Sequence, residues 1–95
     1  MEVTEVRIFP VDQERLKAYA TITLDGCFLV RDLKVILGNN GLFVAMPSRK
    51  RKDGTYQDTA HPLDSQTRSM LEDAVIGEYH RTLQKTEALS DSEPK

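Results

Sequence analysis

The amino-acid sequence predicts an α+β protein: a small antiparallel β-sheet of about four strands, with one C-terminal α-helix packed on it. The first half of the chain alternates apolar and polar residues, which is typical of half-buried strands. Two turn-forming segments, Asp25-Gly26 and residues 38–41, separate these stretches, and apolar residues recur at helical spacing only after Pro62. The 95 residues, 39% hydrophobic and 29% charged, suit one ordinary globular domain.

The first two predicted strands span residues 3–9 and 17–24. In the first, Thr4, Val6 and Ile8 form the more apolar face, and Pro10 ends the strand because proline cannot donate to a ladder. The second strand points alternate residues inward, and these are Ala18, Ala20, Ile22 and Leu24. Residues 11–16 are a polar connection. Asp25-Gly26 predicts a tight hairpin, since both turn positions need positive φ.

Residues 27–37 are predicted as a third strand, with a bulge near Asp32. Apolar residues load both faces of this segment, so a helix over residues 31–37 is a competing interpretation. A short strand over residues 42–46 follows and stops at Pro47. Residues 48–61 lack an apolar period, which favours a loop or an irregular ribbon.

The predicted helix begins after Asp64 or Ser65, either of which can cap it. Its apolar stripe consists of Met70, Leu71, Ala74, Val75, Ile76, Tyr79 and Leu83. We therefore assign residues 1–83 to the domain and residues 84–95 to a flexible polar tail. One helix cannot cover both faces and both edges of a sheet, so a homodimer is expected.

The charge distribution points to one segment. Thirteen Lys and Arg against fifteen Asp and Glu leave a net charge of −2, which does not favour a polyanion partner. Four of the thirteen cations are nevertheless consecutive, at Arg49, Lys50, Arg51 and Lys52. Such a run is either a solvated turn or a phosphate-binding segment of a DNA- or RNA-binding protein. Adjacent like charges repel one another, and a phosphate backbone would offset that repulsion.

Residues after the basic run are further candidates for nucleic-acid binding. Tyr56 can stack on an unpaired base or pack against the sheet edge. Arg68 can extend the basic patch or pair with Glu72, four residues along the helix. Gln57 and Thr59 are weaker candidates for polar contacts.

The sequence does not indicate an enzyme, a metal site, a cofactor or a small-molecule substrate. His61, beside Pro62, suits a structural role, His80 suits an exposed helix position, and Cys27 suits a packed small residue. These residues lack the spacing of a zinc site, and no glycine-rich phosphate loop is present. No apolar run is long enough to span a bilayer, and residues 1–6 do not resemble a secretion signal. A cytoplasmic location is expected.

Several segments together resemble the SpoVG family (stage V sporulation protein G). They are residues 38–48 followed by the basic run, Asp53-Gly54 and residues 60–63, and also residues 3–8 and 22–25. The resemblance covers about residues 2–83; the short, mildly acidic tail departs from it. It implies a small sheet with a C-terminal helix, homodimerisation and binding to DNA and RNA through the basic residues after Met46-Pro47-Ser48, which here are Arg49 to Lys52.

The resemblance also implies a link to septum formation, sporulation and control of gene expression. An alternative function is a protein-interaction adaptor of the cell-division machinery, which would bind its partner along a free sheet edge. Such an adaptor would tolerate loss of the basic run.

Overall fold

The computed structural model describes residues 1–11 and 13–92, and the side chains of residues 86–92 are not described. The elements in chain order are β1 (Val3–Pro10), β2 (Leu16–Leu24), β3 (Phe28–Gly38), β4 (Gly41–Ala45), β5 (Ser48–Lys50), β6 (Tyr56–Asp58) and α1 (Ser65–Ser92). The first four strands form one antiparallel sheet in the order β1-β2-β3-β4, and β5 pairs with β6 as a separate ribbon. The predicted α+β fold is confirmed.

The core lies between one face of the sheet and helix α1. Small residues on β2 let the helix approach closely, and larger side chains from β3 and β4 fill the remaining space. The buried residues are Ala18, Ala20, Ile22, Leu33, Val35, Val44, Leu71, Val75 and Tyr79. No helix in the described part of the chain has the length and apolarity needed to cross a membrane.

The hairpin between β2 and β3 forms where the sequence predicts it. Asp25 and Gly26 have φ values of 52° and 67°, and the Cys27 N–H donates to the Leu24 carbonyl over 3.0 Å. Asp25 also accepts a hydrogen bond from the Glu2 N–H through its carboxylate, which joins the turn to the start of the chain. Cys27 itself is exposed, so the expectation of a packed cysteine was wrong: the turn points its side chain away from the core.

The third strand carries the expected bulge. Ala20 pairs with Leu33 and Ile22 pairs with Val30, so two residues of β3, Arg31 and Asp32, lie opposite Thr21 alone. Asp32 adopts a φ of 67°, which aspartate tolerates better than most residues. Because of the extra residue, the side chains that face the core have even numbers before the bulge and odd numbers after it. This change explains why apolar residues occur at both even and odd positions of the segment. The helical alternative for residues 31–37 is excluded.

Strand β1 differs from its predicted alternation at one end. The register shifts between Val3 and Glu5, so Val3 packs against the core together with Val6 and Ile8. The sequence pattern places Thr4 on that face instead. Thr4 is exposed, and its hydroxyl donates to the Thr23 carbonyl and accepts from the Gly26 N–H.

The helix begins as predicted and extends beyond the predicted domain boundary. The Asp64 carboxylate accepts a hydrogen bond of 2.7 Å from the Thr67 N–H, which identifies Asp64 as the cap. The backbone stays helical through Ser92, so residue 83 is not the end of the helix. The flexibility of residues 84–95 stays a prediction, and residues 93–95 lie outside the described residues.

Replacing a core leucine is expected to destabilise the domain strongly. Leu33 is completely buried, so Leu33→Ala should lower the free energy of unfolding by about 2–5 kcal/mol. Leu63→Ala is the matched control, because Leu63 is 91% exposed and its loss should change stability by less than about 0.5 kcal/mol. Urea denaturation followed by circular dichroism measures both values, and equal effects would contradict the described core.

Candidate nucleic-acid interface

The basic run forms part of a two-stranded β-ribbon. Ser48, Arg49 and Lys50 on β5 pair with Asp58, Gln57 and Tyr56 on β6. All four cations are exposed, and together with Gln57 they line a shallow depression of about 360 Å³. The sequence pattern allowed a loop or an irregular ribbon here, and the structure assigns the ribbon. The ribbon turn therefore brings the four consecutive cations to one surface, whereas an open loop would spread them apart.

The four cations form no ion pair with the described residues. None of the ion pairs seen among the described residues, which are Arg7–Glu5, Arg68–Glu72 and Arg81–Glu78, involves the ribbon cations. The ribbon carries two acids, Asp53 at its tip and Asp58 at its base, so its local charge is positive. Screening confines surface fields to about 8 Å at physiological salt, and the net charge of the whole chain therefore matters little at this surface.

A hydrogen-bonded turn closes the tip of the ribbon. The Arg51 N–H donates to the Thr55 carbonyl over 2.6 Å, and the Gly54 N–H donates to the Arg51 carbonyl over 3.0 Å. Gly54 has a φ of 93°, a conformation that side chains disfavour. Arg51 and Lys52 are therefore held on a defined turn.

Asp53 stabilises the same turn through its carboxylate. One oxygen accepts hydrogen bonds from the Thr55 hydroxyl at 2.7 Å and from the Thr55 N–H at 3.0 Å. The hydroxyl first, and then the N–H, hold the pKa of the Asp53 carboxyl below the ordinary aspartate value of 3.8. This carboxylate is directed to the turn and not to the neighbouring cations.

Two hydrogen bonds to Pro47, the residue before β5, close the base of the ribbon. Thr59 donates to the Pro47 carbonyl from its N–H at 2.8 Å and from its hydroxyl at 3.1 Å, and Pro47 is buried. The Thr59 hydroxyl, a candidate for a polar contact to nucleic acid, therefore has a structural partner.

Tyr56 lies directly opposite Lys50 in the ribbon register. Its side chain is 69% exposed, so the alternative in which it packs against the sheet edge is excluded. An exposed ring beside a cation is an arrangement that suits stacking on an unpaired base. Contact of Tyr56 with nucleic acid stays a prediction.

Arg68 lies apart from the ribbon pairings, against the outer edge of β4. Its guanidinium donates to the Val44 carbonyl over 3.1 Å and lies 3.8 Å from the Glu72 carboxylate. Glu72 in turn accepts from the Val44 N–H over 3.3 Å. The two helix side chains thus bind the backbone polar groups of Val44 as a neighbouring strand would; we call them the Val44 clasp. Sequence spacing indicated the Arg68–Glu72 pair but not its backbone target. A nucleic-acid contact by Arg68 stays a prediction.

No candidate metal-binding site is found within residues 1–11 and 13–92. No cluster of three or more His, Cys, Asp or Glu side chains suited to a metal ion occurs there. His80 is exposed beside the Tyr79 ring, with ring centroids 5.6 Å apart, as its helix position predicted.

Comparison with known proteins identifies the family. A family model described as SpoVG matches residues 1–81, which is most of the chain. The chain belongs to the SpoVG family. The resemblance seen in the sequence is confirmed, and the matched range includes the whole ribbon and α1 as far as residue 81.

Individual relatives agree with this assignment. The chain is 64% identical over 85 residues to "Putative septation protein SpoVG" of Anaeromyxobacter sp. strain Fw109-5, covering 90% of this chain and 88% of the relative. It is 59% identical over 88 residues to the protein of the same name from Myxococcus xanthus, covering 93% and 89%. The Bacillus cytotoxicus protein of that name is 58% identical over 82 residues, covering 85% and 84%.

The hydrogen bonds at the ribbon tip predict a specific titration. Thr55→Val removes the hydroxyl donor, so the pKa of Asp53 should rise toward 3.8, as measured by NMR pH titration of the carboxyl groups. Asp64 is the internal control, because the Thr67 N–H lowers its pKa independently of Thr55. A folded-state pKa below the unfolded one means that the Asp53 contribution to stability is present above pH 3.8 and lost as the pH falls through the lowered value. An unchanged Asp53 titration in Thr55→Val would contradict the described turn.

Proposed function

We propose that this SpoVG-family chain is a dimeric nucleic-acid-binding regulator whose ribbon, residues 48–58, binds the phosphate backbone of DNA or RNA. The observation that supports it best is the exposure of four consecutive cations around one depression, without ion pairs among the described residues.

The ribbon chemistry suits phosphate and also base edges. Lysine ammonium groups act as point charges toward phosphate, whereas arginine guanidinium groups can bind two acceptors at once. Arg49 and Gln57 face each other across the ribbon, which puts a charged fork beside an amide that both donates and accepts. Phosphate contacts would supply affinity, and these two side chains are our candidates for base preference.

Dimerisation is proposed from the coverage of the sheet. Helix α1 packs on one face, and the Val44 clasp engages the backbone at the β4 edge. Strand β1 forms the other edge, and we propose that two copies pair along it. Such a dimer would hold two ribbons at a fixed separation, and two linked contacts raise the overall affinity above that of either one.

The relatives' name connects the family with septation. We propose that the chain influences septation or sporulation-type development through control of gene expression, with nucleic acid as the direct partner. The adaptor alternative would use a sheet edge, and the Val44 clasp makes the β4 edge a poor template for an added strand.

Loss of the ribbon charges should abolish most of the nucleic-acid affinity. In a mobility-shift salt series, the logarithm of the binding constant should fall with log salt at a slope that is about 3 steeper per ribbon, or about 6 per dimer, than in the Arg49→Ala/Lys50→Ala/Arg51→Ala/Lys52→Ala variant. Removing charge from an exposed ribbon should leave the circular-dichroism spectrum unchanged.

A matched pair of variants separates local from global charge. Arg49→Ala/Lys50→Ala and Arg81→Ala/Lys85→Ala each remove one arginine and one lysine, but only the first pair lies in the ribbon. The first should weaken binding on the order of tenfold or more at low salt, and the second should change it little. Equal losses would refute the ribbon as the contact, and retained affinity in the quadruple variant would place the nucleic-acid contact on another surface.

Light scattering tests the proposed dimer directly. The chain has a mass of 10.8 kDa, and we expect a solution species of twice that mass. The quadruple ribbon variant should keep the same mass, because the proposed pairing does not involve the ribbon. A species of 10.8 kDa at micromolar concentration would contradict the dimer.

A further inference from the structure

The sheet face opposite helix α1 carries exposed aromatic side chains between cations. Phe9, Tyr19 and Phe43 are 52%, 38% and 40% exposed, and the register places all three on this outer face. The same face presents Arg7 and Lys34. The sequence pattern does not identify this surface.

One row of side chains, which are neighbours across β1, β2 and β3, resembles a phosphate-binding site. Arg7 pairs directly with Thr21, and the β3 bulge brings Arg31 opposite the same threonine. The three residues line a shallow depression of about 410 Å³, together with Glu5, Phe9, Thr23 and Leu29. Glu5 binds Arg7 at 3.0 Å and so holds one guanidinium in place, whereas Arg31 makes no ion pair with the described residues. The row can therefore offer two guanidinium groups on either side of a hydroxyl.

The adjacent row is aromatic. Phe9 pairs with Tyr19, and Tyr19 pairs with Lys34 on the next strand. Two residues along a strand span about 7 Å, so this row lies one nucleotide-sized step from the Arg7–Thr21–Arg31 row. Phe43 extends the aromatic surface toward β4, where its ring lies over Gly38 and would come within 3.0 Å of a Cβ there. Gly38 thus leaves room for that ring against the sheet.

We propose that this outer face binds single-stranded nucleic acid, with a phosphate between Arg7 and Arg31 over Thr21 and a base stacked on Phe9 and Tyr19. The inference rests on the proposed nucleic-acid-binding function and adds a substrate class to it. Bases in a duplex stack on one another, so exposed rings on a sheet can engage only unpaired bases.

Charge favours this occupant over a second copy of the chain. Two outer faces packed together would bring Arg31 and Lys34 of both copies into one interface, and neither residue has an ion pair among the described residues. Glu5 and the bulge residue Asp32 are the acids of this region, and Glu5 is already paired with Arg7. A polyanion neutralises these cations, whereas self-association leaves like charges facing one another.

Tyrosine emission can report stacking at one residue. The chain has three tyrosines and no tryptophan, and Tyr79 is only 8% exposed. In a Tyr56→Leu background the remaining exposed tyrosine is therefore Tyr19. Adding oligo(U) or oligo(dT) of about 12 nucleotides should quench its emission, and comparing the two shows whether RNA or DNA is preferred. Binding without quenching in this background would overturn the proposal.

Affinity measurements separate stacking from charge. Phe9→Leu/Tyr19→Leu should weaken oligonucleotide binding about tenfold without changing the salt slope, because stacking releases no counterions. Arg31→Gln should instead reduce the slope by about 0.7, the value for one phosphate of a single strand. The controls are Phe28→Leu, an exposed aromatic on the other side of the sheet, and Arg81→Gln on the helix.

The results distinguish this inference from the proposed function. If the wild-type chain binds neither the oligonucleotides nor duplex DNA at low salt, the proposed function itself fails. If it binds duplex DNA but neither oligonucleotide, only the outer-face inference fails. If the ribbon variant loses binding while Phe9→Leu/Tyr19→Leu binds as the wild type does, only the outer-face inference fails. A halved solution mass in Phe9→Leu/Tyr19→Leu would show that the face contacts a second copy and would also overturn it.

Discussion

The packing of a single helix on four strands determines how the rest of the molecule is used. Ala18 and Ala20 on β2 leave room for Leu71, Val75 and Tyr79, and this contact buries the centre of one face of the sheet. No other element in the described part of the chain covers the opposite face, where aromatic rings and cations are exposed. The ribbon is likewise outside the core, and its shape depends on backbone hydrogen bonds at its tip and base rather than on burial.

Much of this architecture follows from local sequence. The Asp25-Gly26 turn, the alternation of β2 and the Asp64 cap each depend on neighbouring residues alone, and all three are confirmed. The register shift in β1 could not be read from the pattern, because it depends on hydrogen bonds with β2. The end of the helix was also missed, since polar residues continue a helix without leaving an apolar stripe to mark it.

The candidate site also has features that the sequence predicts and features that depend on tertiary contacts. Four adjacent cations are evident in the sequence, but their arrangement around one depression depends on the pairing of β5 with β6. The target of Arg68 is a backbone carbonyl 24 residues earlier in the chain, which no helical spacing can indicate. The sequence alone could not predict the outer-face site either, because Arg7, Thr21 and Arg31 become neighbours only through the pairing of three strands and a bulge.

The Val44 clasp also bears on how large an assembly can grow. A sheet with two unprotected edges can add copies at both sides and extend without limit into a polymer. Arg68 and Glu72 bind the N–H and the carbonyl of Val44, which disfavours strand addition at β4, and the proposed pairing uses β1 instead. Pairing through one side alone is self-complementary and uses up the site that formed it. In the proposed dimer, growth would stop at a closed pair, and a fibre would have no free edge to extend.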